Sequence, residues 1–142
     1  MRPDFTGVWK LIIGESDFGF LPPPRLRVDT IQHAEPHILI RTRQKDANGD
    51  ITLNRDLTIG GEFVEVMIRG RARQVRAFWD DAELVVETAS EVSGNSRRIE
   101  DRWSLDASAE WVTIVRLHEQ PGGAVRQRLR MRRERAGGRV GS

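Results

Sequence analysis

Cysteine is absent from this chain. That removes any disulfide framework, any thiolate chemistry and any zinc site built on sulfur, and it leaves the compartment open. Long apolar runs are absent too. Nothing approaches the roughly 20 residues of a membrane-spanning helix, and the opening "MRPDFTGVW" lacks the apolar stretch of a secretory leader. Read as it stands, the sequence is cytoplasmic. The first strand lies so near the start, however, that a periplasmic or secreted protein with a removed leader is the alternative. Lysine is scarce: of 23 basic residues all but Lys10 and Lys45 are arginine. A formal net charge of +2 gives little long-range attraction to nucleic acid, so no nucleic-acid partner is expected. Arginine does supply a planar fork suited to carboxylates and phosphates. Helical periodicity is missing as well, since no segment of ten or more residues repeats its apolar positions at the spacing of a helix.

What the chain does have is regular punctuation by turn residues. "DANGD", "IGGE", "VSGNS" and "QPGGA" supply positive-φ positions between short runs, the spacing of an antiparallel meander. The runs predict strands at Gly7–Gly14, Arg25–His33, His37–Gln44, Asp50–Thr58 and Glu62–Arg69. Five more follow at Arg71–Trp79, Glu83–Ala89, Ser96–Leu105, Trp111–Glu119 and Ala124–Arg132. Residues 1–134 read as one domain and 135–142 as a flexible tail. Alternation then assigns faces. Trp9, Leu11 and Ile13 share one side; so do Val64, Val66 and Ile68, and Val75, Ala77 and Trp79. Leu84, Val86 and Thr88 continue the apolar side, followed by Ile99, Trp103 and Leu105, and by Val125, Leu129 and Met131. The opposite faces are charged. A sheet with one apolar face has to cover itself, and with about ten short-looped strands closure into an all-β, up-and-down antiparallel barrel also removes its open edges.

Three stretches carry a family resemblance. "DFTGVWKL" resembles the G-x-W strand that opens lipocalins and fatty-acid-binding proteins. "FWDDAELVVE" is similar to a W-D-G-D-x-L-V hairpin of the fatty-acid-binding proteins, and "DRWSLDASAEWVTIVRLHE" with the basic strand after it resembles the end of that barrel. The whole is similar to small uncharacterised bacterial lipocalin-like proteins sharing "DFSGTWKL…SDFG…PP". The resemblance implies a calycin-type barrel with a cavity for a small hydrophobic or amphipathic ligand, and a Trp9 that plugs the closed end. There are departures. The last strand reads "RQRLRMRR" and the chain has no tyrosine, so the R-x-Y carboxylate clamp of fatty-acid-binding proteins is missing. Glu15–Pro24 is also too short for their two-helix lid.

Candidate ligand-binding residues follow. Phe18, Phe20 and Pro22–Pro24 form a stiff segment expected to cross the barrel mouth, either as a simple cap or as a portal. Trp9, Leu11, Leu53, Val66, Ala77, Val86 and Trp103 are expected on the inner wall. Arg55, Arg73, Arg97 and Asp101 share the parity of apolar neighbours. A buried charge is costly unless paired, so these pair with one another, line a wet cavity or sit at a rim; Arg55, Arg73 or Arg97 is the candidate anchor for an anionic head group. Catalysis of an isomerase or cyclase type in the same cavity is the alternative function, with Asp101 and His118 as candidate bases. No hydrolase motif is present. His33 and His37 flank the "AEP" turn, but nothing nearby in sequence supplies a third ligand, so no metal site and no cofactor is expected. The run "RQRLRMRRER" reads as the outer face of a strand with its charge balanced by neighbouring glutamates. A monomer or homodimer fits the composition.

Overall fold

Each of these half-apolar strands needs cover for one side, and the chain meets that need by curling a single sheet round its own apolar face. The computed structural model describes residues 2–92 and 94–135. Its strands are β1 (Gly7–Leu11), β2 (Leu26–Ala34), β3 (His37–Asp46), β4 (Gly49–Thr58), β5 (Val64–Ile68), β6 (Arg71–Asp80), β7 (Glu83–Val92), β8 (Asn95–Leu105), β9 (Trp111–Gln120) and β10 (Gly123–Glu134). They form one ten-stranded antiparallel sheet in the order β4-β3-β2-β1-β10-β9-β8-β7-β6-β5. First meets last through the register Trp9–Arg133 and Leu11–Met131. β4 and β5 face one another without a ladder, and the gap is knitted at one end by the Ile59–Ala77 bridge and a 2.7 Å hydrogen bond from Gly60 N–H to the Ala77 carbonyl. The result is a nearly closed up-and-down barrel.

All ten expected strands are present. The first stops earlier than expected, at Leu11, and the chain turns through a short 3-10 segment at Ile13–Glu15. Ile13 therefore leaves the inner face and is 39% exposed. Val64, also assigned inward, sits at the β5 edge and is exposed. The expected tail lies outside the described residues from 136 onward.

One end of the barrel, the base, is solid. Phe5, Trp9, Trp103, Val112, Ile114 and Met131 are fully buried there, each large apolar side chain contributing on the order of 1.5–3 kcal/mol of transfer free energy. Phe5 is the hub: its ring lies 6.1 Å from His33, 6.2 Å from Trp79 and, edge-on, 6.1 Å from Trp103. The Trp9 indole N–H donates to the Phe5 carbonyl at 2.9 Å. His33 accepts the Phe5 backbone N–H at Nδ1 and meets Glu35 through Nε2, and Glu35 also accepts the Trp79 indole N–H. His33 is thus spent in the base, whereas His37 is exposed.

The glycine of the opening G-x-W has a packing reason. Arg133 lies 4.3 Å over the Trp9 ring and donates to the carbonyls of Thr6 and Ala109 at 2.9 Å. A Cβ on Gly7, whose φ is +148°, would stand 2.4 Å from the Arg133 guanidinium. Gly7→Ala is expected to lower unfolding free energy by about 1–3 kcal/mol through backbone strain and the loss of this cap. Urea denaturation checks it, with an unchanged midpoint as the contrary result.

Candidate functional site

Halfway up the barrel the apolar lining gives way to charge. On β2 the inward positions after Ile31, moving toward the mouth, are Asp29 and Arg27. Arg27 donates to both Asp29 oxygens at 2.9 and 3.2 Å, and both residues are buried. Across the lumen, Asp101 on β8 and Arg116 on β9 are register partners on the inner face and pair through two hydrogen bonds of 2.8 and 2.9 Å. Burial alone would raise the Asp101 pKa. The Arg116 guanidinium outweighs it, with help from Arg27 and Arg55, and holds the carboxyl below its ordinary value. The same pairing raises Arg116 against the opposing effect of burial.

Arg55 on β4 completes this layer without a carboxylate of its own. It is 4% exposed and donates one Nη2 hydrogen bond, 3.2 Å to the Thr42 hydroxyl, while its Nε has no partner. Burial pushes its pKa down to about 10; the nearby Asp29 and Asp101 partly offset this, and Arg27 and Arg116 add to it. Three guanidiniums and two carboxylates therefore share the middle of the barrel, and the unmatched positive charge is Arg55.

Above this layer lies a cavity of about 190 Å³. Its walls combine apolar side chains, Leu11, Ile99 and Leu129, with Arg27, Gln44, Asp46, Arg116, His118 and Gln127. Its roof is the segment between β1 and β2, through Phe18, Leu21, Pro22 and Pro24. The first half of that roof is tied to β10: Asp17 and Arg128 exchange backbone hydrogen bonds of 2.8 Å, and the Gln127 carboxamide donates to the Phe18 carbonyl at 3.1 Å. Gly19 turns the chain with φ +64°, and a Cβ there would stand 3.3 Å from the Arg126 carbonyl oxygen. The second half, Pro22–Pro24, has no backbone tie to the barrel until Arg25 donates to Lys45. On the other side of the mouth the inward residues Leu53, Ile68, Arg73, Thr88 and Ser90 are only partly buried, and Leu53 and Ile68 pack against the edge of the core.

The sequence-derived candidates divide accordingly. Phe18 packs on the core under the roof, whereas Phe20, expected beside it, points away and is 78% exposed. Leu53 packs against the core and Arg73 is half-buried, and neither borders the cavity. Trp9, Ala77, Val86 and Trp103 are fully buried in the packed region rather than among the cavity walls. Arg55 is buried as its parity implied. Asp101 does pair with an arginine, but the partner is Arg116; Arg97 sits exposed at the rim. Arg27, Asp29, Arg116 and Gln127 were not among the candidates. Arg116 shares parity with Val112 and Ile114, a signal that was available; Arg27 and Asp29 share an inner face with only one aliphatic residue, Ile31, and gave little. His118 borders the cavity, its pKa lowered by burial and by Arg116 and Arg97. Among the described residues no cluster of three His, Asp or Glu side chains is placed to hold a metal. The glutamate balance expected for the run Arg126–Arg135 is met only at Arg135, which pairs with Glu110; among the described residues Arg126, Arg128, Arg130 and Arg132 make no salt bridge, and Arg130 and Arg132 instead stack on Trp111 at 4.5 and 5.5 Å.

No protein-family model and no curated protein matches the chain. Solved structures do. The zebrafish ileal bile acid-binding protein complexed with cholic acid superposes with a TM-score of 0.64 at 9% identity, covering 92% of this chain and 98% of that one. Human cRBP IV gives 0.60 at 14% identity over 94% and 100%. Lipid binding protein 8 of Caenorhabditis elegans gives 0.60 at 10% over 92% and 95%. This chain shares their up-and-down antiparallel barrel fold. At such identities the likeness extends to the barrel and its connectivity, and the lumen chemistry has to be argued from this chain's own residues.

Proposed function

We propose that the barrel holds a small amphipathic molecule with an anionic head group, its apolar part in the cavity beneath the Phe18–Pro24 roof and its head reaching down to Arg55, which lies in the charged layer below the cavity and not among its walls. One observation carries this reading: a buried guanidinium with an unpartnered Nε in a layer of three cations and two anions. In a low-dielectric lumen such a group binds a carboxylate, sulfate or phosphate oxygen far better than water-exposed arginine does. The Thr42 contact draws the side chain mouthward from its register partner Ile40, toward the space a head group would enter. The lining divides almost evenly between apolar and polar side chains, the apolar ones concentrated in the roof, which suits a ligand with both an apolar and a polar part. Bile-acid and lipid-binding proteins of the same fold are consistent with such an occupant.

The test uses two fluorescent probes that differ in charge. 1-Anilinonaphthalene-8-sulfonate carries a sulfonate; N-phenyl-1-naphthylamine is the same skeleton without it. The anionic probe is expected to bind about tenfold or more tightly than the neutral one at pH 7, a charge-assisted hydrogen bond being worth about 1.5–3 kcal/mol. That preference is expected to fade as pH rises through about 10, where Arg55 loses its proton. Equal binding of the two probes contradicts the reading.

A further inference from the structure

The charges on the outside of the barrel are unevenly matched. On β6–β8 the outer arginines are consumed: Arg76 and Arg98 meet Glu87, and Arg102 meets Asp80, Glu83 and Glu100. On the opposite flank they are not. The strand registers place Trp111, Arg132, Lys10, Val28 and Arg43 in one continuous outer row across β9, β10, β1, β2 and β3. A second row runs through Val8, Thr30 and Arg41. Arg128 and Arg130 extend the first row along β10. None of these six basic side chains forms a salt bridge among the described residues. The outer positions of β1, β2 and β3 carry no carboxylate at all; acidic groups border the flank at Asp17 beside Arg128, Glu134 beside Val8, Asp106 near Arg130, and Asp50 and Asp56 on β4 opposite Lys45 and Leu39.

Exposed apolar side chains accompany the charge. Val8 is 36% exposed on β1 itself, Ile13 is 39% exposed just beyond the end of β1, and Phe20 stands 78% exposed at the tip of the roof. Unmatched basic residues interleaved with exposed aliphatic and aromatic side chains have the chemistry of a surface that meets lipid head groups and dips into the interface. A duplex would be gripped by the same cations, but it offers nothing for Val8, Ile13 and Phe20 to enter. We propose that the β10-β1-β2-β3 flank docks on an anionic lipid bilayer, with the mouth roof at the membrane surface. The proposal rests on the outer face alone and is independent of what the lumen holds.

The experiment is flotation of the purified protein with vesicles of phosphatidylcholine alone, or with about one third phosphatidylglycerol, at low and high salt. The protein is expected to float about tenfold more with the anionic vesicles, and to be released at roughly 0.5 M salt. The double variant Lys10→Glu/Arg132→Glu is expected to lose this binding. So is Arg41→Glu/Arg43→Glu on the neighbouring strand, which guards against a folding defect in the first pair, and circular dichroism reports the fold of both. Phe20→Ser is expected to reduce flotation while leaving its salt dependence. Absence of anionic-vesicle binding, or full retention of it by both folded charge-reversed pairs, overturns the proposal. So does preference for a DNA or RNA duplex over vesicles at equal phosphate concentration, which assigns the flank to nucleic acid. Binding of the naphthalene probes is expected to be unchanged in the charge-reversed variants, which keeps this result separate from the lumen test.

Discussion

Asp101→Asn is expected to destabilise the barrel by about 3–5 kcal/mol, the cost of leaving one buried charge without its partner. The carboxamide keeps the shape and one acceptor, so the effect combines the lost charge with the loss of one of the two hydrogen bonds from Arg116. Arg116 would then face Arg27 and Arg55 with only Asp29 left as a counter-charge in the layer. For a chain of this size the loss lowers the melting temperature by roughly 10 °C or more. Restoring neutrality by the double change Asp101→Asn/Arg116→Met is expected to recover most of it, because an apolar replacement removes the orphaned cation as well. The pH dependence carries the same signature. Asp101 has its folded pKa below the ordinary 3.8, so its contribution is complete above about pH 5 and drains away as pH falls below 4 through the folded value. The wild type is therefore expected to lose more stability between pH 6 and pH 3 than the Asn variant. Thermal melts at the two pH values decide it. A variant as stable as the wild type at pH 7 would mean that Arg116 is solvated, and the closed charge layer would be wrong.

Arg55→Met runs in the opposite direction. The native guanidinium is buried, lacks a carboxylate and leaves its Nε unsatisfied. Replacing it with an apolar side chain of similar length removes a desolvated charge and fills the same space, a change that commonly leaves stability equal or higher. Anion affinity depends on the very group removed. The sulfonate probe is expected to weaken by about ten- to a hundredfold, the range of a charge-assisted hydrogen bond, and the neutral probe to change less than about twofold. Gain or parity in stability together with loss of anion binding marks a residue kept for a ligand and not for the fold. A variant that melts lower and binds both probes as before would assign Arg55 to the scaffold.

The architecture was legible in the sequence because period-two alternation is a local property that each strand declares by itself. Val75, Ala77 and Trp79, or Leu84 and Val86, need no distant partner to show which way they face. The turn glycines bounded the strands to within a few residues. The first strand's end was not legible: "LIIG" is apolar on both sides, and only the tertiary turn toward the roof exposes Ile13. Phe20 misled for a related reason. In a loop there is no period to assign a face, so Phe18 and Phe20 looked alike although one packs inward and the other points to solvent.

The site was half legible. Arg55 and Asp101 betrayed themselves as polar residues among apolar neighbours of the same parity. Their partners did not, since cross-lumen proximity depends on how the sheet closes, and Arg27 and Asp29 sit on a face too polar to read as internal. Charge balance on the outer surface was equally hidden. The sequence places glutamates near the final arginines, but the register delivers the glutamates of β7 and β8 to Arg76, Arg98 and Arg102, leaving β10 and β1 unmatched.

The central claim is that Arg55 is the anchor of an occupied lumen, and nitrogen-detected NMR of the arginine Nε–H groups tests it most directly. With Arg55 assigned through the Arg55→Met spectrum, titration with octyl sulfate is expected to move the Arg55 Nε resonance first and farthest, to saturate with the binding isotherm, and to slow its hydrogen exchange. Titration with octanol, which has the same chain and no charge, is expected to leave it nearly in place. If octyl sulfate binds while the Arg55 signal stays still, the anion sits elsewhere and the account fails.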